Sequence, residues 1–180
     1  MSIVEPIRDK SDLLRIEKYL LQKNYRDYTM FKLGINCGLR ISDILALNVV
    51  DVYDMDMLKI LEKKTNKRRN IPLNSTIKNI LKHYVKSKRI GEPLFSSVNG
   101  NRLERTSVYR IIKESCFVCG IRGNIGTHTL RKTFGYHFYK KYKNIALLQK
   151  ILNHSHPSVT LKYIGISDDE IYASYKDFKL

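Results

Sequence analysis

A chain of 180 residues is long enough for one domain with a sizeable core. Its 43% hydrophobic and 28% charged residues exclude a disordered tail, and no apolar run approaches the ~20 residues of a transmembrane helix. Lys and Arg number 33 against 17 Asp and Glu, a net charge of +16 that is far beyond what solubility needs and points to a polyanionic partner, nucleic acid first.

In chain order, the apolar residues Leu13, Leu14, Ile16, Leu20 and Leu21 recur at helical spacing behind Ser11, a candidate cap. A second helix is predicted from Asp27 to Cys37, stopped by Gly38, and a third is capped by Ser42. Residues 49–73 change period. Val49–Tyr53, Leu58–Leu61 and Arg69–Leu73 read as three short antiparallel strands, with Pro72 marking an end or edge. Helices are then expected near 75–89, 106–119, 127–142, 144–153, 157–163 and 168–177, punctuated by Gly120 and by caps at Thr127 and Asn144. This is a mostly helical α+β domain with a small three-stranded antiparallel sheet. The three cysteines are Cys37, Cys116 and Cys119. Their odd number and the lack of a signal peptide suit a reducing interior, and Cys116 and Cys119 sit on a helical pattern that favours packing over metal binding.

Four stretches could carry chemistry. GTHTLRKTFG opens a helix with His128 and Arg131, ~60° apart and so on one face. Gly135 falls between them one turn on, where its missing side chain would leave open space for a ligand. The helix start itself suits an anion. GLRISD holds Arg40 among apolar neighbours, as a positioned phosphate fork would be, with Asp43 three residues on to orient it or another basic group. KILEKKTNKRR is a hairpin tip with six basic residues against one acid, a probe for a DNA backbone through Lys63, Lys67, Arg68 and Arg69, with Lys132 joining the basic face. LNHSHPSVTLKY places His154 at a helix end and Tyr163 nine residues later. No Asp or Glu stands beside either histidine in a ligand-like motif, so neither a metal nor another cofactor is expected.

Each motif alone is unspecific, but four in this order make chance agreement very unlikely. From about residue 10 to the end the chain resembles the catalytic domain of the tyrosine recombinases, the lambda-integrase-like or phage-integrase family. The resemblance implies a catalytic set of Arg40, Lys64 (with Lys63 as its rival), His128, Arg131, His154 and the nucleophile Tyr163, supported by Asp43. Two departures stand out: Asp43 where the family often has Glu, and Asn153 where a glycine is frequent. The family's separate helical DNA-clamping domain has too few residues before Arg40 to form, so 1–180 reads as a catalytic domain, either a short stand-alone member or a catalytic fragment. Residues 164–180 read as a helix that packs on its own domain or on a neighbouring subunit.

The resemblance further implies site-specific recombination by metal-independent phosphoryl transfer. Arg40 and Arg131 would neutralise the non-bridging oxygens, and Tyr163 would form a 3′-phosphotyrosyl link. Lys64 would protonate the leaving 5′-hydroxyl. His128 would take the tyrosine proton or orient the phosphate, and His154 would hydrogen-bond an oxygen. The implied partner is double-stranded DNA held by a homotetramer, with a monomer in solution left open, in the bacterial cytoplasm at the nucleoid and away from membranes. A non-catalytic regulator of recombination sites and a topoisomerase-like nicking and closing enzyme remain as rival readings.

Overall fold

The computed structural model describes residues 4–64, 66–166, 176 and 178. The element order is α1 (Lys10–Lys23), α2 (Tyr25–Cys37), α3 (Ile41–Ala46), β1 (Met57–Leu61), β2 (Arg68–Pro72), α4 (Ser75–Val85), α5 (Arg105–Val118), α6 (Thr129–Tyr142), α7 (Ile145–Leu152) and α8 (Pro157–Ile164). The α+β class holds, but among the described residues the sheet has two strands, antiparallel, with Leu58 opposite Ile71.

The expected strand at 49–53 is a short 3-10 turn instead. The Asn48 side chain accepts from the Asp51 amide while the Asp51 carboxylate accepts from the Asn48 amide, so each satisfies the other's backbone. The Val49 and Val50 amides donate to the carbonyls of Glu92 and Ile90 rather than to a strand. Local capping thus overrides the β-propensity of the Val-rich run.

Caps differ from expectation at three starts. Asp9, not Ser11, caps α1, and Arg40 and His128 stand at the cap positions of α3 and α6 without side-chain capping bonds. Asn144 caps α7 through the Leu147 amide, as expected. The helix expected at 168–177 lies outside the described residues, apart from Lys176.

Two apolar clusters organise the fold. The larger gathers Leu20, Phe31, Leu33, Ile44, Leu58, Ile77, Leu94, Val108 and Leu130. The smaller gathers Leu148, Leu152 and Ile164, with Phe134, Phe138 and Tyr163 packed on it. Helix α6 reaches both, Leu130 facing the first and Phe134 the second. The polar residues between those two on α6 are therefore held at the seam between clusters.

Candidate active site

Arg131 lies at that seam, buried. Its Nη1 donates to the Gly38 carbonyl and its Nη2 to the Leu152 carbonyl, each at 2.6 Å. Both carbonyls belong to helix ends: Gly38 follows α2 and Leu152 closes α7. Such ends leave carbonyls without helical partners and carry partial negative charge, which matches a guanidinium. Gly38 adopts φ +60°, and a Cβ there would come within 2.4 Å of the Phe134 ring, so both conformation and space call for glycine. Asn153, at φ 51°, supplies the left-handed turn after α7, a conformation asparagine tolerates better than most residues.

Tyr163, on α8, faces this arginine. Its hydroxyl is 3.4 Å from His128 Nδ1. Burial pushes the Tyr163 phenol up, while Arg131 and Arg40 pull against it. His128 is held below its ordinary range, first by partial withdrawal from water and then by Arg105, Arg131, Lys132 and Arg40. It is therefore neutral near pH 7, and its ring can accept a proton.

His154 packs edge-on to the Tyr163 ring, 4.9 Å between centroids at 73°. Its Nδ1 is 3.1 Å from the Thr160 hydroxyl. Burial, with Arg131 and Arg40, depresses it to about 4. For its Nε2–H to face an anion, the Thr160 hydroxyl must donate to Nδ1 in preference to its longer, 3.4 Å bond to the His156 carbonyl. Gln149 donates to the His154 and Ser155 carbonyls and sets the loop that carries this ring.

Arg40 completes the cluster. Its Nη1 is 2.8 Å from Glu62 Oε2 and 3.9 Å from Asp43 Oδ2. The near carboxylate is therefore Glu62, the lone acid of the basic hairpin stretch, and not Asp43. Asp43 Oδ1 accepts from the Lys63 amide at 3.1 Å, so its closest contact is with the hairpin backbone rather than with Arg40 or His128.

The remaining expectations fall in different places. Lys63, Lys64, Lys67 and Arg68 are exposed at the hairpin tip, and the Lys63 and Lys64 ammonium groups make no ion pair or hydrogen bond among the described residues. Lys67 donates to Asn153 Oδ1 at 3.1 Å. Arg69 is half-buried on Glu62 at 2.9 Å rather than free on the surface.

Lys132, read as part of the basic face, is buried, its ammonium 5.0 Å from the centre of the Tyr163 ring. Burial pushes its pKa down, against the pull of Glu5. Gly135 does not leave open space: a Cβ there would meet Ile164 Cγ2 at 2.7 Å, so the glycine lets α6 and α8 approach. Sequence reasoning missed Glu62, Arg105, Gln149 and Thr160. Only Glu62 had a visible signal, as the single acid in a basic run.

The cluster is built from cations and imidazoles around one tyrosine. It can neutralise an anion, take the phenol proton and bring an oxygen nucleophile to a phosphorus. Comparisons with known proteins place the chain in a family. The chain is 50% identical to the probable integrase/recombinase YoeC of Bacillus subtilis (strain 168), over 99% of this chain and 98% of that protein. It is 35% identical to a tyrosine recombinase of Pseudothermotoga lettingae, over 93% of this chain but 63% of that longer protein. Among solved structures, XerH site-specific recombinase bound to difH substrate shares the fold, with a TM-score of 0.73 at 18% identity over 99% of this chain and 56% of that one. The phage integrase family matches residues 9–170, and the chain belongs to that family, the tyrosine-type site-specific recombinases.

Proposed function

We propose that this chain cuts and rejoins DNA through a covalent 3′-phosphotyrosyl link at Tyr163, without a metal. The observation that carries the reading is the Tyr163 hydroxyl lying 3.4 Å from a neutral His128, with Arg131 and Arg40 acting on the same phenol. The phenol proton passes to His128 Nδ1 as the Tyr163 oxygen bonds to phosphorus. The bond from phosphorus to the 5′-oxygen breaks, and that oxygen takes a proton from Lys64, which the exposed hairpin tip brings in when DNA is present. Arg40, Arg131 and His154 face the non-bridging oxygens, where charge gathers in the transition state. The link keeps the phosphodiester bond energy, so a 5′-hydroxyl from another strand rejoins the DNA without ATP.

The substrate is double-stranded DNA. Two duplexes have four strands and each copy offers one Tyr163, so a complete exchange takes four copies acting together. The protein acts where bacterial DNA is, in the cytoplasm at the nucleoid. Among the described residues no helix is long and apolar enough to cross a membrane.

The test uses duplex DNA nicked next to the scissile phosphate, so that the short 5′ fragment diffuses away and the adduct accumulates. Wild type gives a protein–DNA band in denaturing gels. Tyr163→Phe binds with unchanged affinity and gives no band, whereas an adduct that persists in this variant places the nucleophile elsewhere.

A further inference from the structure

We propose that Glu62 is a positioning residue of the phosphate clamp: it aims Arg40 at the site and ties it to the turn that carries Lys63 and Lys64. The inference rests on the recombinase reading above.

The Glu62 side chain is 0% exposed, and a lone carboxylate there would be strongly disfavoured. It is instead shared between two guanidiniums, Arg40 at 2.8 Å and Arg69 at 2.9 Å. Buried ion clusters of this kind contribute little net stability; what they supply is geometry. The geometry here concerns a side chain with few other supports. Arg40 precedes a helix of only six residues and its backbone is extended; its Nη1 makes a well-directed hydrogen bond to neither carboxylate, so the ion pair with Glu62 at 2.8 Å, against 3.9 Å for Asp43, is what holds it.

Glu62 is itself fixed at the foot of the hairpin turn. Its amide donates to the Lys67 carbonyl at 3.0 Å, and its carbonyl accepts from the Asn66 amide at 2.8 Å. The next amide, that of Lys63, donates to Asp43. The two carboxylates therefore cross. Asp43 of α3 grips the hairpin, while Glu62 of the hairpin grips the arginine in front of α3. An arginine for the phosphate and a lysine for the leaving group thereby share one rigid frame, although 24 residues separate Arg40 from Lys64 in the chain.

Two opposite effects of Glu62→Gln follow. Removing a negative charge beside a phosphate site leaves DNA binding equal or tighter. Loosening Arg40 slows cleavage by about 100-fold, the scale of an ångström-sized misplacement. Glu62→Asp, which keeps the charge, recovers part of that rate. A role in stability alone would produce no such split between affinity and rate.

Single-turnover cleavage of the nicked duplex, DNA affinity, and the 15N resonance of the Arg40 guanidinium in DNA-free protein measure these quantities. Should Glu62→Gln not fold, the Glu62→Gln/Arg69→Met pair, which deletes one arginine together with its carboxylate, carries the same comparison. A cleavage rate equal to wild type, or loss of rate and affinity in step, overturns the proposal. An inactive wild type whose restrained Arg40 signal is released in Glu62→Gln supports the Arg40 contact while striking at the recombinase reading.

Discussion

The histidines show how a single residue's environment sets its chemistry. His154 is depressed to about 4 and His128 is lowered as well, so both are neutral at pH 7 in the DNA-free protein. In the unfolded chain each would titrate near the ordinary ~6.5. As pH falls below ~6.5 the unfolded state binds protons first, so acid pulls the equilibrium toward unfolding until about pH 4, where His154 also protonates in the folded state. Urea unfolding between pH 4 and 8 should show stability declining over this window. His154→Asn should flatten the decline, and an unchanged slope would show that His154 is not the responsible group. Lys132 teaches the same lesson. As sequence it was one cation among many, yet it lies buried against the Tyr163 ring.

At the scale of elements, the approach of α6 to α8 decides where Tyr163 stands. Gly135 permits the approach, and Ile164, which would collide with a Cβ there, adjoins Tyr163. Alanine would gain up to ~1 kcal/mol in helix propensity. It would lose ~1–3 kcal/mol to overpacking, because Ile164 is fully buried and cannot swing aside. Gly135→Ala should therefore lower stability by about 1 kcal/mol on balance and slow adduct formation. Thermal unfolding and single-turnover cleavage measure the two effects, and a raised melting temperature would mean that the helices separate freely. Helices were legible from periodicity and from Gly38, Gly120 and Asn144. The 3-10 turn that stands where a strand was expected at 49–53 was not, because the reciprocal Asn48–Asp51 bonds satisfy the backbone locally.

For the molecule as a whole, the charge of +16 predicts DNA binding that weakens steeply with salt, as released counterions oppose it. Not every cation on the hairpin contributes alike. Arg68 is exposed, while Arg69 is drawn in by Glu62. Arg68→Gln should reduce the slope of log affinity against log salt by about 1. Arg69→Gln should change the slope less and the cleavage rate more. Equal salt effects for the two would show that Arg69 leaves Glu62 to meet DNA. The measurement is a binding titration on one duplex across a salt series.

The amino-acid sequence alone carried the family, through four motifs in order, and DNA as the partner class, through its charge, because motif order and net charge belong to the chain itself. It could not carry the partners of the site's side chains. Arg131 is held by carbonyls that follow from how two helices end, and Arg40 by a carboxylate 22 residues away. Asp43 looked like the partner of Arg40 because it is near in sequence, but the hairpin brings Glu62 closer. Gly135 looked like an opening because its neighbour, Ile164, belongs to another helix. In each case the deciding contact is long-range: the seam along α6 sets those of Arg131 and Gly135, and the fold of the hairpin onto α3 sets those of Arg40 and Asp43.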